Sequence, residues 1–379
     1  MPDIGASFPE PISNNSSYTK PNVMKLTTQN PTRHLALPFF FMLSVLFAAL
    51  AGCKKDNDDS GCPKFDSTQL VVVSQNESTA LPGMVSVFFK VDDAEGKPVA
   101  QLDSSNFSIY EKGRNDDCPK LISGTESRSR ISPKTQVFKN NTMLVLDFSG
   151  SVITNSLTEL KSAAKSFVQN VMPVVQDDAY RMGIWWFDGE DKLHPLVGFT
   201  ADKAALNNAI DGITSTISAD PSTDLYGAII KASDIAMQAL DSITTQGIIT
   251  AGSIVVFTDG TDQAARYAKA DAFAKVSGLD ERIAVFSIGL GDEIDQSVLK
   301  TIGKSGSVFA TNKAELETKF IEIAALVWAE ANSYYLFEYC SPKRDGSGTN
   351  ELIIEVTLGN KKGALKTSFD ATGFTSGCQ

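Results

Sequence analysis

Histidine is almost absent from this chain: its 379 residues include two, His34 and His194. A Ser-His-Asp or Cys-His nucleophile would have to rest on one of them. His34 falls in an N-terminal leader, and His194 sits in Leu193-His-Pro-Leu-Val, which reads as an edge strand, so no catalytic residue is assigned. Cysteine is scarce too, with five residues and no Cys-x-x-Cys or Cys/His spacing, so nothing suggests a thiolate zinc site. Positive charge is in deficit too, the formal net charge being −11. Basic residues come as isolated pairs (Lys161/Lys165, Arg128/Arg130), whereas phosphate binding needs a clustered basic face. No nucleic-acid partner is expected. Internal repeats and low-complexity tracts are missing from the region after the leader. Apolar content, at 42%, is that of a folded protein, and the length allows two domains.

Residues 35–51 carry no charge, include Pro38 and end in small residues, the pattern of a signal-peptide apolar region. The end of the run, Leu50-Ala51-Gly52-Cys53, resembles a bacterial lipobox, which implies acylation of Cys53. Met24-Lys25 makes a more ordinary start for such a leader than Met1. Residues 1–52 are thus expected to be a signal peptide, and 53–66, with Lys54-Lys-Asp-Asn-Asp-Asp-Ser-Gly61, a lipidated Cys and flexible tether. The implied location is the bacterial cell envelope, at the outer membrane or cell surface, with the lipid anchor as the membrane contact. Four cysteines remain, Cys62, Cys118, Cys340 and Cys378. In an exported protein they imply two disulfides with three possible connectivities.

The positive signals lie in the middle. Thr142-Met-Leu-Val-Leu146 is a buried-strand run ending in Asp147-Phe-Ser-Gly-Ser151. Such a strand delivers one carboxylate and two hydroxyls to one point at a sheet's carboxyl edge, and oxygen-only ligands suit a hard divalent cation. Downstream, Ser222-Thr223-Asp224-Leu-Tyr-Gly227 opens a helix, and Ile254-Val-Val-Phe-Thr-Asp259-Gly260 is a second buried strand ending in an aspartate. Strand and helix patterns alternate from 143 to 331, among them helices at Asn155–Val171, Leu225–Leu240 and Gln263–Ser277. Alternation of this kind means right-handed crossovers and a mostly parallel, doubly wound α/β sheet. Sites in such sheets lie beyond the carboxyl ends of the strands, where the Asp147 and Asp259 loops fall.

Together the three loops resemble the metal-ion-dependent adhesion site of von Willebrand factor type A domains, the family that includes integrin I domains. The resemblance implies a Rossmann-like fold over 138–333. Its metal ligands would be Asp147, Ser149 and Ser151 from the first loop, Thr223 from the second and Asp259 from the third. It also implies Mg²⁺, with Mn²⁺ or Ca²⁺ as substitutes, and a protein ligand that completes the coordination with an acidic side chain. Gly150 and Gly260 are expected to let the backbone turn tightly there. The plainer alternative is that Asp147 and Ser151 only cap the helix that follows.

The flanks read as β. Val85–Val99 with Asn106–Gly113 resembles the β-sandwich preceding the A domain in some bacterial A-domain proteins. Halves at 67–127 and 334–379, joined to the insertion by a linker at 128–137, would form one small all-β sandwich; two separate β pieces are the alternative. Disulfides joining one half to the other are favoured, since closing a loop around an insertion removes the most unfolded-state entropy, about 2–5 kcal/mol per bridge.

Enzyme readings fail on the letters. An aspartic protease needs two Asp-Thr/Ser-Gly loops, but Phe148 separates Asp147 from Ser149. An aspartyl-phosphate phosphatase needs Asp-x-Asp, and Ser149 stands where the second aspartate should be. Nothing marks a glycosidase carboxylate pair. A lipid-anchored extracytoplasmic protein that binds a macromolecule through a cation is the expected function. The alternative is an assembly lipoprotein in which the metal only stabilises the domain.

Overall fold

The computed structural model describes residues 61–123, 130–132, 138–343 and 348–375. The leader, Cys53, most of the tether and of the 128–137 linker, and Cys378 lie outside the described residues. In chain order the first strands are β1 (Leu70–Ala80), β2 (Met84–Asp93), β3 (Phe107–Lys112), β4 (Lys120–Leu121) and β5 (Arg130–Ser132). Next come β6 (Phe138–Asp147), α1 (Gly150–Asn155), α2 (Leu157–Val171), β7 (Tyr180–Phe187), β8 (His194–Thr200), α3 (Lys203–Asp211) and α4 (Leu225–Thr244). They are followed by β9 (Ile249–Thr258), α5 (Lys269–Ser277), β10 (Ile283–Leu290), α6 (Gln296–Ile302), β11 (Gly306–Ala310) and α7 (Leu316–Ala331). The last strands are β12 (Tyr334–Cys340), β13 (Thr349–Leu358) and β14 (Lys361–Asp370).

The central block forms a six-stranded sheet, β11-β10-β9-β6-β7-β8, parallel except for the edge strand β8. Both faces are covered, which is why β6 reads as an unbroken apolar run rather than an alternating one. Leu144 and Leu146 point to one core with Phe167 of α2, Phe257 and Phe320, while Met143 and Val145 point to the other with Phe187, Ile229 and Val256. The expected doubly wound α/β class holds. Because β6 and β9 are neighbours in register, their carboxyl ends, Asp147 and Thr258-Asp259, emerge side by side.

Two antiparallel four-stranded sheets accompany it, β1-β2-β12-β5 and β14-β13-β3-β4, and each mixes strands from before and after the central block. They share one core, with Val87, Phe89, Ile109, Tyr335, Phe337, Leu352 and Ile354 buried in it. Strand alternation gives the opposite faces a second use. Phe88 of β2 and Tyr334 and Leu336 of β12 pack with Phe138 and Ala251 at the junction with the α/β block.

Three expectations are corrected. The helix at Gln263–Ser277 begins only at Lys269. The N–H groups of Gln263 and Ala264 bond instead to the Thr223 carbonyl, and Ala265 takes φ 51°, left-handed backbone that a helix cannot include. The helix expected at Asn155–Val171 is present but starts at Leu157, Ser156 separating it from α1. The favoured disulfides between halves also fail: Cys62 bonds Cys118, with Cα atoms 5.3 Å apart, which leaves neither for a bridge to the C-terminal half. The reason is local, since the chain after Cys62 lies on the sheet beside β4, Phe65 meeting the ring of Tyr110 at 4.8 Å. Cys340 is disulfide-bonded as well.

Candidate metal centre

Asp147 ends β6 at full burial. Its Oδ1 accepts the Ser149 N–H at 2.8 Å and its Oδ2 accepts the Thr258 hydroxyl at 2.6 Å. The turn that follows starts α1, with Ser149 in the N-cap position, yet its side chain makes no capping bond. Its Oγ lies 3.3 Å from Ser151 Oγ, and Ser151 Oγ donates to Asp259 Oδ1 at 2.8 Å. Capping therefore does not account for these hydroxyls. Phe148 between them is fully buried and donates its N–H to Phe187 O at 2.8 Å, pinning the loop to β7.

The second loop packs directly on the first. Gly150 N–H donates to Pro221 O at 2.9 Å, and a Cβ at Gly150 would lie 2.9 Å from Pro221 Cβ. Glycine at 150 is thus required by close approach. Gly260 is not: it lacks positive φ, and an added Cβ would make ordinary contacts with Thr223 Oγ1 at 3.9 Å and Gln263 Nε2 at 4.0 Å. Thr223 is 2% exposed, and among the described residues nothing hydrogen-bonds its hydroxyl. Its carbonyl takes the N–H of Gln263 at 2.8 Å and of Ala264 at 3.0 Å, tying the second loop to the third. Asp262 strengthens that tie, accepting from Tyr226 N and Ala265 N at 3.1 Å each. Asp224 caps α4 through Gly227 N.

The structure thus brings Ser149, Ser151 and Asp259 into one hydrogen-bonded chain, with Asp147 below it, and lays the Thr223 loop across them. Sequence reasoning missed Thr258, while Asp262, whose nearness to Asp259 in sequence suggests that it shapes the site, does brace it. A hydroxyl at the end of β9, just before Asp259, was the available signal for Thr258. Trp185 and Trp186 are core residues, 7% and 8% exposed. In the Asp292–Asp295 loop, Asp295 caps α6 through Ser297 N and Val298 N.

The electrostatics of the cluster suit a cation. Burial pushes the Asp147 carboxyl up to about 7; hydrogen bonds from Thr258 and Ser149 oppose the shift, and the Asp259 charge adds to it. Burial also raises Asp259, with Ser151 opposing and Glu293 adding. Among the described residues no Lys or Arg pairs with either aspartate. Two carboxylates and three hydroxyls, without nitrogen or sulfur, fit Mg²⁺ or Mn²⁺. Each carboxylate would gain from a nearby positive charge.

Residues 141–323 match the family model described as the von Willebrand factor type A domain. No curated protein matches the chain. Among solved structures it is similar to a von Willebrand factor type A protein from Catenulispora acidiphila, at 10% identity and TM-score 0.43, over 82% of this chain and 74% of that one. It is similar also to the conserved hypothetical protein BatB from Bacteroides thetaiotaomicron, at 17% identity and TM-score 0.39, over 51% of this chain and 99% of that one. A third is the manganese-loaded TRAP protein of Plasmodium vivax, at 13% identity and TM-score 0.40, over 64% of this chain and 97% of that one. Residues 141–323, which carry the Asp147, Thr223 and Asp259 loops, are a von Willebrand factor type A domain.

Proposed function

We propose that this chain is a bacterial cell-envelope lipoprotein, anchored through Cys53, whose A domain binds a protein ligand through a Mg²⁺-type cation. Ser149, Ser151, Thr223, Asp147 and Asp259 would hold the ion. The observation that carries this reading is the gradient of exposure across the oxygen cluster. Asp147, Ser149 and Thr223 are buried, Asp259 is half-buried and Ser151 is exposed, so the open side of the cluster faces solvent. A site serving stability alone has no need of that opening. When bound, the ion supplies a Lewis-acidic position that accepts an oxygen donor.

This chain's own residues do the rest. Thr258 and the Ser149 N–H occupy one lone pair on each Asp147 oxygen and fix the carboxylate's orientation. Among the described residues the Thr223 hydroxyl has no hydrogen-bond partner, and it sits on a loop braced by Gln263, Ala264 and Asp262. A carboxylate from the ligand protein would complete the coordination.

The test has two arms. Calorimetry with Mg²⁺ and Mn²⁺ should give one binding event at the cluster that Asp147→Ala abolishes and that Ser151→Ala weakens less. Retention of envelope proteins on the immobilised chain should then be lost with chelator and reduced by Thr223→Ala. Metal binding without any chelator-sensitive ligand would favour the assembly lipoprotein stabilised by its metal. Equal metal affinity in wild type and Asp147→Ala would overturn the site itself.

A further inference from the structure

A second group of metal-ligating side chains stands on the other side of the Thr223 loop, at the β7–β8 connection. Asp188, Glu190 and His194 each place one ligand atom there, and these atoms lie within 4.8 Å of one another. Asp188 is fully buried. Its Oδ1 accepts the Glu190 N–H at 2.9 Å, and its Oδ2 accepts the Ser218 hydroxyl at 2.8 Å and the Asp220 N–H at 3.3 Å. Those donors are all neutral. The His194 ring is fixed by stacking on Trp186, with centroids 3.9 Å apart and planes 8° from parallel. Its Nε2 is buried and, among the described residues, makes no well-angled hydrogen bond; its one polar neighbour given is Glu190 Oε2, 3.2 Å away. A buried polar nitrogen left unbonded is costly. Beside two carboxylates, that nitrogen is placed as a ligand would be.

We propose that Asp188, Glu190 and His194 form a second divalent-cation site, distinct from the oxygen cluster and suited to a borderline ion such as Zn²⁺. One imidazole and two carboxylates are a zinc donor set, whereas the oxygen-only cluster favours Mg²⁺. Tetrahedral zinc holds its ligand atoms about 3.4 Å apart. Glu190 Oε2 already lies 3.2 Å from His194 Nε2, and its side chain, 45% exposed, has room to adjust toward Asp188. Neutral donors that orient Asp188 from behind are what a ligating carboxylate needs. Gly189 allows the loop to fold this closely, since a Cβ there would run into Ser222 and Asp220. Three protein ligands leave a fourth position open to water or an external donor. Ser218 and Asp220, together with the Asp224 N–H on the Asp188 carbonyl at 2.9 Å, join the site to the loop that bears Thr223.

The experiment is Zn²⁺ calorimetry on the full chain with Mg²⁺ in excess, all variants also carrying His34→Gln and Cys53→Ser to remove other zinc ligands. One equivalent of Zn²⁺ should bind. His194→Gln should weaken it by about tenfold or more, and Asp147→Ala should leave it intact. Glu190→Gln, at an exposed position, should weaken zinc without moving the melting temperature of the metal-free chain, which separates lost ligation from lost folding. Absence of a zinc event under Mg²⁺, unchanged affinity in both His194→Gln and Glu190→Gln, or loss of zinc in Asp147→Ala would each overturn the proposal. The last result would place zinc in the oxygen cluster.

Discussion

Burial takes from Asp147 the water that would solvate its carboxylate, and the Thr258 hydroxyl and the Ser149 N–H replace part of it. Its proton affinity in the folded chain therefore exceeds that of an unfolded aspartate, the value rising from 3.8 to about 7. The sign of the linkage follows: between these values the folded state holds a proton the unfolded state has released. Stability of the metal-free chain should thus fall as pH climbs through that window. Cation binding needs the carboxylate, so apparent Mg²⁺ affinity should do the opposite, rising about tenfold per pH unit up to about 7 and then levelling. Calorimetry from about pH 5 to about pH 8 checks this, and a flat profile would contradict it. Asp147→Asn should abolish binding yet raise the melting temperature of the metal-free chain at neutral pH. Thr258→Val, which removes a hydrogen bond to a buried charged group worth about 1–3 kcal/mol, should move the midpoint of the affinity profile to higher pH.

At the scale of elements, sequence legibility followed burial on two faces. β6 and β9 were readable because strands covered on both sides are continuously apolar, and the loops after them because ligand side chains must follow a strand's end. The start of α5 was not readable. Gln263-Ala-Ala-Arg is helix-compatible in composition, but its N–H groups serve the Thr223 carbonyl, a contact between loops 40 residues apart and invisible to local propensity. Glu111 was hidden for a similar reason. Beside Lys112 it looks like a solvent-face residue, yet alternation puts it inward with Ile109, at 0% exposure. There Oε1 accepts from Ser341 and Asn350, and Oε2 from Tyr339 of the facing sheet. Burial raises its pKa, with those three donors and the Lys343 charge opposing. Glu111→Ala should cost about 1–3 kcal/mol, since three buried donors lose their acceptor. Glu111→Gln should cost clearly less, because the Tyr339 hydroxyl can turn to accept. Urea unfolding distinguishes the two. Equal losses would mean that the charge facing Lys343, not the hydrogen bonding, is what the sandwich uses.

The whole molecule depends on how an α/β block is held between strands of one sandwich. β2 and β12 are adjacent, but the entire A domain lies between them in sequence, so their pairing requires that the ends of the inserted domain be brought together. Apolar packing of Phe88, Phe138 and Tyr334 does part of this. An ion pair does another part: Lys90 of β2 meets Glu330 of α7 at 2.9 Å and Asp92 at 3.1 Å, and Tyr334 donates to Glu330 at 3.4 Å. The Glu330 side chain is 6% exposed, and burial raises its pKa. Lys90→Met would strand that carboxylate, a loss of about 3–5 kcal/mol, whereas replacing both partners with apolar residues is often close to neutral. Lys90→Met should therefore destabilise strongly, and Lys90→Met with Glu330→Leu should recover most of the loss. The three tryptophans, Trp185, Trp186 and Trp328, all belong to the α/β block, so their fluorescence follows its unfolding. Hydrogen exchange of the β13 and β14 amides follows the sandwich. In the wild type, Mg²⁺ should raise both together, as binding to one part of a cooperative unit protects the whole. In Lys90→Met the Mg²⁺ shift should persist in the fluorescence and shrink in the exchange of β13 and β14. If both signals still moved together in that variant, apolar packing alone would be coupling the two parts, and the Lys90–Glu330 pair would be only a local contact.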